Sequence, residues 1–359
     1  TINEGAQFAI ENEFSNVEIA NNFFQNGMYS IACFNVREVS NLNVHHNVFD
    51  KIKLPKGILV FDGWPRNLKV ENNTVLYDQS IFNWYLGATN GNTLIYTNNP
   101  AIAELISIQN NIFYCYDGDK KNNIRLIQGP QGDVTNAANV TINNNAFYNW
   151  IVDGANYLEL PMGSPVFNFS GSGYKQIFGL KSESVAFGKN FNIIVCILLF
   201  TATVIASSWT KDSSVKLVEC VKNNYYVSPN GCNLNDGSKL YPWKSVSFAC
   251  KKAEEGCIIR LLEGTFYEDS ICKIPKNVSI IGAGRDKTFI VSRFFYHDVV
   301  GAWDLAKDKY LIQYPKGCDG VEISHFSIDG NNHQSHGGII IDDVKNIKIK
   351  NLHVKDFTF

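Results

Sequence analysis

The chain has 359 residues, enough for one large domain or two ordinary ones, and 45% are hydrophobic, so a sizeable core is within reach. A formal net charge of −2 with only 18% charged residues argues against a nucleic-acid partner, which needs a basic face. Few Pro and an excess of Asn, Ile, Val and aromatics indicate many short strands and tight turns rather than helices. Nine Cys are present, six of them between Cys220 and Cys318, and none forms a C-x-x-C pair. Zinc and thioredoxin readings are therefore weak, and disulfides in an oxidising compartment are expected. Sequons at Asn72, Asn139, Asn168 and Asn277 agree with export.

From residue 1 to residue 150 the chain repeats one phrase. Asn16-Val17-Glu18-Ile19-Ala20-Asn21-Asn22-Phe23-Phe24 returns at Asn41 to Phe49, Asn67 to Val75 and Asn139 to Phe147, with a looser copy at Leu105 to Phe113. Apolar residues hold the second, fourth and ninth places, and one or two Asn sit in the middle. An earlier strand also recurs, at Phe8-Ala9-Ile10, Ile31-Ala32-Cys33 and Ile58-Leu59-Val60. A period in the twenties with several strands per period is solenoid spacing. Alternate residues then face in and out, and equivalent side chains stack. The paired Asn residues are expected to form internal ladders at the corners and to take left-handed conformations there.

These phrases resemble the coils of right-handed parallel β-helix proteins, the pectin-lyase-like superfold. Tyr157-Leu158-Glu159-Leu160, followed by Gly163-Ser164-Pro165, resembles the phrase that closes many of them. Next, Lys189 leads into an uncharged apolar run ending in small residues at Ser207-Ser208. That is the anatomy of a secretory signal peptide in the middle of the chain. A membrane anchor at 191–206 or a buried core element are the alternatives, the run being short for a span. Beyond it, Tyr225-Tyr226-Val227-Ser228-Pro229, Asn235-Asp236-Gly237 and Pro242-Trp243 resemble the opening of secreted β-helix proteins. Val246, Cys250 and Ala253 suit one face of a short capping helix stopped by Gly256. Such a cap covers the core and sheet edge of a first coil. Asn346 to Val354 and Gly320 to Ile328 carry the phrase again.

The chain thus places an ending before a beginning. Counted through a notional join of Phe359 to Thr1, Asn346 precedes Asn16 by 29 residues, close to the coil period. The expected organisation is 1–185 as middle and C-terminal coils, 186–208 as the signal-like segment or linker, and 209–359 as N-terminal cap and first coils. Either the halves form one solenoid in permuted order, or they belong to two tandem copies. The expected fold class is all-β, a right-handed parallel β-helix solenoid with a short capping helix.

The resemblance implies a site on the outer face of the middle coils. Aligning the strands stacks Asp342 with Glu11, Phe34 and Phe61, and Asp343 with Asn12, Asn35 and Asp62. Asp342 and Glu11 would lie about 5 Å apart, and neighbouring carboxylates raise one another's pKa, which makes a general acid. That separation suits a retaining glycosidase. Alternatively Asp342, Asp343 and Glu11 hold Ca2+, or are solvated turn residues. His325, His333, His336 and His353 on one side of the join, and His45 and His46 on the other, form a second group. His45 and Lys350 share a phrase position, and Lys348, Lys350 and Lys355 are read as a basic stripe for an anionic polysaccharide, with a base for proton abstraction. A variable exterior is the plain alternative. Trp64, Trp84, Tyr85 and Trp303 are sugar-stacking candidates. Asp342-Asp343 is the only motif of the pectin hydrolases present, and Trp64-Pro65-Arg66 does not supply the Arg phrase of the pectate lyases.

The catalytic candidates are therefore Asp342, Asp343, Glu11, Asp62 and His336, and the substrate-binding candidates His45, Lys350, His333, Arg66 and Trp64. No cofactor is expected beyond the Ca2+ alternative. The expected function is a secreted protein that binds, and by lysis or hydrolysis cleaves, an extracellular polysaccharide. A non-catalytic adhesive or surface protein is the alternative. Neither a nucleic-acid partner nor stable membrane insertion is expected, unless 191–206 is an anchor.

Overall fold

The structure is a computed structural model that describes residues 6–27, 29–34, 39–51, 59–61, 65–77, 93–97, 104–115, 123–129, 132–133, 140–148, 151–152, 157–159, 167–170, 177–180, 223–293, 310–331 and 337–357. It consists mostly of strands in parallel sheets, with one helix among the described residues. The signal-like run lies outside them. No helix among the described residues is long and apolar enough to cross a membrane.

The strands fall into three parallel stacks. The first runs from Cys272–Lys273 and Tyr310–Gln313 through the leading halves of Gly337–Lys350 and Ala6–Ala20 to Tyr29–Phe34, Leu59–Phe61, Thr93–Thr97, Asn123–Gly129 and Ile151–Val152. The second runs from Asn224–Val227, Ile258–Leu261, Ser279–Gly282 and Glu322–Ser324 through the trailing halves of the same two long strands. It continues with Val39–His45, Pro65–Glu71, Glu104–Gln109 and Val140–Asn143. The third holds Gly264–Glu268, Thr288–Ser292, Ser327–Asp329, His353–Lys355 and Phe23–Gln25. It goes on with Val48–Asp50, Thr74–Tyr77, Ile112–Cys115, Asn145–Tyr148 and Tyr157–Glu159. Among the described residues, antiparallel pairing is confined to Asn123–Gly129 with Gly132–Asp133 and to Phe167–Ser170 with Ile177–Leu180.

Pairing continues across the two parts of the sequence. Phe8 pairs with Ile339, Ile19 with Ile349 and Phe24 with Val354, all parallel. The rung built from 337–355 therefore lies directly against the rung built from 6–25.

Each place of the repeated phrase has a physical task. The second and fourth places are core: Val17, Leu42, Leu68, Ile106 and Ile347 form one column and Ile19, Val44, Val70, Ile108 and Ile349 another, each at most 1% exposed. Burial of such side chains contributes about 1.5–3 kcal/mol each. The ninth place is core too, with Phe24 stacked on Phe49 at 5.1 Å. The first and sixth places are left-handed: Asn16, Asn41, Asn67 and Asn346, then Asn21, His46, Asn72, Asn110, Asn144 and Asn351, all with φ between 51° and 59°. Asn tolerates that region better than other residues carrying a Cβ. The seventh place is a buried ladder. Asn22, Asn47, Asn73 and Asn111 each donate Nδ2 to the next rung's Asn Oδ1, at 3.0–3.1 Å, ending at Asn145. Each Oδ1 from Asn47 to Asn145 also accepts a backbone N–H, so these seventh-place amide oxygens are satisfied within the protein.

The short helix expected near Val246 is present. The helix Val246–Lys252 begins at Ser245, whose hydroxyl accepts from Phe248 N, and it buries Val246, Ala249 and Cys250. Glu268, 1% exposed, accepts from the Val246 and Ser247 amides at 2.7 and 3.1 Å. A carboxylate there complements the helix N-terminus. The disulfide expectation fares differently. Cys232, Cys250, Cys257, Cys272 and Cys318 are free thiols, and all but Cys232 are buried as small apolar fillers. Cys220 lies outside the described residues.

Candidate functional site

The second stack presents a continuous run of register-paired strands from Glu322–Ser324 to Val140–Asn143. Two columns of side chains alternate with the buried columns, and all their members but Ala20 and Ser324, 3% and 0% exposed, reach the surface. One reads Glu322, Lys348, Glu18, Asn43, Lys69, Ser107 and Thr141. The other reads Ser324, Lys350, Ala20, His45, Glu71, Gln109 and Asn143 by the same pairings. Seven rungs at strand spacing span about 29 Å.

His45 and Lys350 do share a column, separated by the Ala20 rung, about 10 Å. Both are already engaged. Lys350 Nζ lies 3.3 Å from Glu322, and His45 Nε2 lies 3.1 Å from Glu18. His45 Nδ1 also meets His46 Nδ1 at 2.7 Å, and Ser107 donates to Glu71 at 3.0 Å. Sequence reasoning missed Glu322, Glu18 and Glu71, although each occupies a place equivalent to a residue it chose. The face is therefore of mixed sign rather than a basic stripe. Lys355 belongs to the third stack, where its ammonium sits 2.6 Å from Asp329 and 2.7 Å from Asp356.

The electrostatics follow from these contacts. Burial works to raise the Glu322 carboxyl, but the Ser324 hydroxyl and Lys350 outweigh it and hold the carboxyl below its usual range. His46 is lowered by burial and by His45, against the pull of Glu71. His325 is lowered by burial and by Lys350, against Glu322. Both His46 and His325 occupy left-handed corner positions that Asn fills in other rungs.

The histidines do not form one cluster. His353 lies in the third stack, 3% exposed and stacked on Phe23 at 4.6 Å. Burial, with Lys355 and Arg285 nearby, pushes it down to about 3. His333 and His336 lie outside the described residues, as do Asp62 and Trp64.

The carboxylates sit at the corner between the first and second stacks. Glu11 and Asp342 are register partners on adjacent strands, as expected, and Phe34 follows in the same column. Phe61 does not: it pairs with Cys33, one position earlier, and is fully buried in the core. The corner itself is a bulge, with Asn12 and Glu13 facing the single residue Asp343. Asn12 Nδ2 donates to Asp342 Oδ1. Asp343 is left-handed at φ 46° and lies 3.6 Å from Lys316 Nζ. Glu11 is 4% and Asp342 7% exposed, so this pair is screened from solvent. Arg66 follows Pro65 at the start of its strand in the second stack, in register with Ser40 and Glu104. Among the described residues no group of three or more His, Cys, Asp or Glu is placed to hold a metal ion.

No known protein family's profile matches the chain. Uncharacterized protein YwoF of Bacillus subtilis is 26% identical over 139 residues, which are 36% of this chain and 28% of that protein. Among solved structures, the chain is similar to the PL6 family alginate lyase AlyGC, at TM-score 0.24 and 11% identity over 96% of this chain. A point mutant of the same lyase gives TM-score 0.22 and 12% identity over 93%. The chain spans 56% and 52% of those two structures' chains.

Proposed function

We propose that residues 209–359 and 1–185 form one right-handed parallel β-helix of the pectin-lyase-like kind, and that its outer wall binds an extracellular polysaccharide. Continuous pairing from Gly337–Lys350 to Ala6–Ala20 supports a single solenoid, and parallel crossovers are right-handed in nearly all proteins. The observation that carries the binding role is the outer face of the second stack, where amides, hydroxyls and charges stay in register over seven rungs. A linear polymer of polar rings matches such a wall in shape and chemistry. The setting proposed is extracellular, on the strength of the signal-like segment.

Cleavage, by hydrolysis or lysis, falls in this reading to the corner beside that wall, with Glu11 and Asp342 as the acid–base pair. A second reading, a non-catalytic adhesive wall, draws on a specific observation. Glu11 and Asp342 are almost fully buried, and Glu322, Lys350, Glu18 and His45 already pair with one another. The test is a panel of polysaccharides with purified full-length chain, read for retention, for new ultraviolet absorbance from unsaturated ends, and for reducing sugar. Retention with neither chemical signal selects the adhesive wall. Retention of no polymer on a broad panel sinks the binding proposal.

A further inference from the structure

We infer that the groove beside Leu105 is a binding subsite for one anionic sugar unit. This rests on the polysaccharide reading above and deepens it by assigning a place and a charge.

The first place of the repeated phrase carries a second, outer ladder. Asn346 Nδ2 donates to Asp319 at 2.7 Å, Asn16 to Asn346 at 3.0 Å, Asn41 to Asn16 at 2.8 Å and Asn67 to Asn41 at 3.0 Å. The next rung has Leu105 at that place, with the same left-handed backbone, φ 53°. A branched aliphatic residue is poorly suited to that conformation, where Asn is tolerated. It is also 65% exposed, and it leaves the Asn67 amide oxygen without the ladder partner that the Asn16 and Asn41 oxygens have. Leu105 is thus unfavourable by backbone, by solvation and by hydrogen bonding at one position. Such an outlier points to function.

A groove of about 520 Å³ opens at this break in the ladder. Leu105 gives it an apolar surface, and Asn41, Asn67, Ser107, Thr141 and the exposed Lys69 line it as well. A sugar ring offers the complementary set, with C–H groups on one face and hydroxyls at its rim. Lys69 supplies the charge preference. Lys350, Lys355 and Lys316 each lie within 4 Å of a carboxylate, whereas Lys69 has Asn43 and Ser107 as register neighbours and no carboxylate partner among the described residues. A carboxylate or sulfate ester on the sugar would fill that role.

Two variants test this with full-length chain, titrated with uronate oligosaccharides, sulfated oligosaccharides and neutral glucan oligosaccharides. L105N should raise the melting temperature and weaken anionic oligosaccharide binding about tenfold, which separates lost binding from lost folding. K69Q should weaken it by about the same factor and flatten its salt dependence. The uronate and sulfate arms identify which anion is taken. Anionic oligosaccharides that bind the wild type and both variants equally would overturn the subsite and leave the polysaccharide reading standing. Neutral oligosaccharides that bind as tightly as anionic ones, unaffected by K69Q, would overturn the charge assignment. No binding of any oligosaccharide to the wild type would remove the subsite and the underlying reading together.

Discussion

The capped rungs and the laddered rungs solve the same corner problem with different residues. From residue 223 to residue 331 the left-handed positions include Gly237, Gly256, Gly264, Gly284, Gly317 and Gly320. In 337–357 and 6–144 they are mostly Asn. Glycine turns the chain and leaves nothing behind. Asparagine turns it and adds an amide that reaches the neighbouring rung, as along Asn346, Asn16, Asn41 and Asn67. The glycine-cornered rungs are thus free to vary in shape around the cap, while the laddered ones are held to one spacing. A long, straight outer wall needs the second solution.

That contrast can be broken most severely in the buried ladder. N73A removes the acceptor for the Asn47 amides and the donor to Val44 O and Asn111. Because all lie in the interior, we expect a loss of roughly 3–5 kcal/mol in urea unfolding. His353 offers a second route, by pH. Its folded pKa of about 3 lies below its ordinary 6.5, so the unfolded chain takes up the proton first and stability falls as pH drops below 6.5. Between pH 7 and pH 4 this amounts to about 3 kcal/mol, and H353F should remove that part of the dependence. The glycine corners should be milder. Gly256, at φ 76° with nothing near its missing Cβ, should cost only about 1 kcal/mol as G256A. Equal losses from N73A and G256A would refute the distinction between the two kinds of corner. The smallest effect expected is a gain: L105N should add about 0.5–1 kcal/mol by relieving a strained backbone and extending the outer ladder.

Much of the architecture was legible because the phrase is strict. Val17 and Ile19, Asn21 and Asn22, and Phe24 each kept the task that their spacing implied, and Tyr157–Glu159 and Val246–Lys252 took their expected forms. Register across the corner was not legible. Two residues of one strand face one of the next at Asn12-Glu13, so counting across the corner slips there, and Phe61 pairs with Cys33 rather than Phe34 by a separate one-residue offset between its strand and Tyr29–Phe34. Lys355 was put on the wrong wall for a related reason, since the turn at Asn351 moves the chain into the third stack. The pairing of Lys350 with Glu322, and of His45 with Glu18, joins residues more than twenty positions apart and leaves no local trace. The burial of Glu11 and Asp342 was equally hidden, because alternation alone places them outside. Leu105 did leave a signal: it is the one copy quoted from the first part of the chain whose opening place is not Asn.

The contact between Gly337–Lys350 and Ala6–Ala20 also sets a timetable. Residues 330 positions apart must meet, as Asn12 and Asp342 do. At about 5–20 residues per second of synthesis, the first of those strands waits roughly 20–60 s for its neighbour. During that wait one edge of Ala6–Ala20 has every backbone donor and acceptor open to pairing with another nascent chain. That seam is where a chaperone would be of most use.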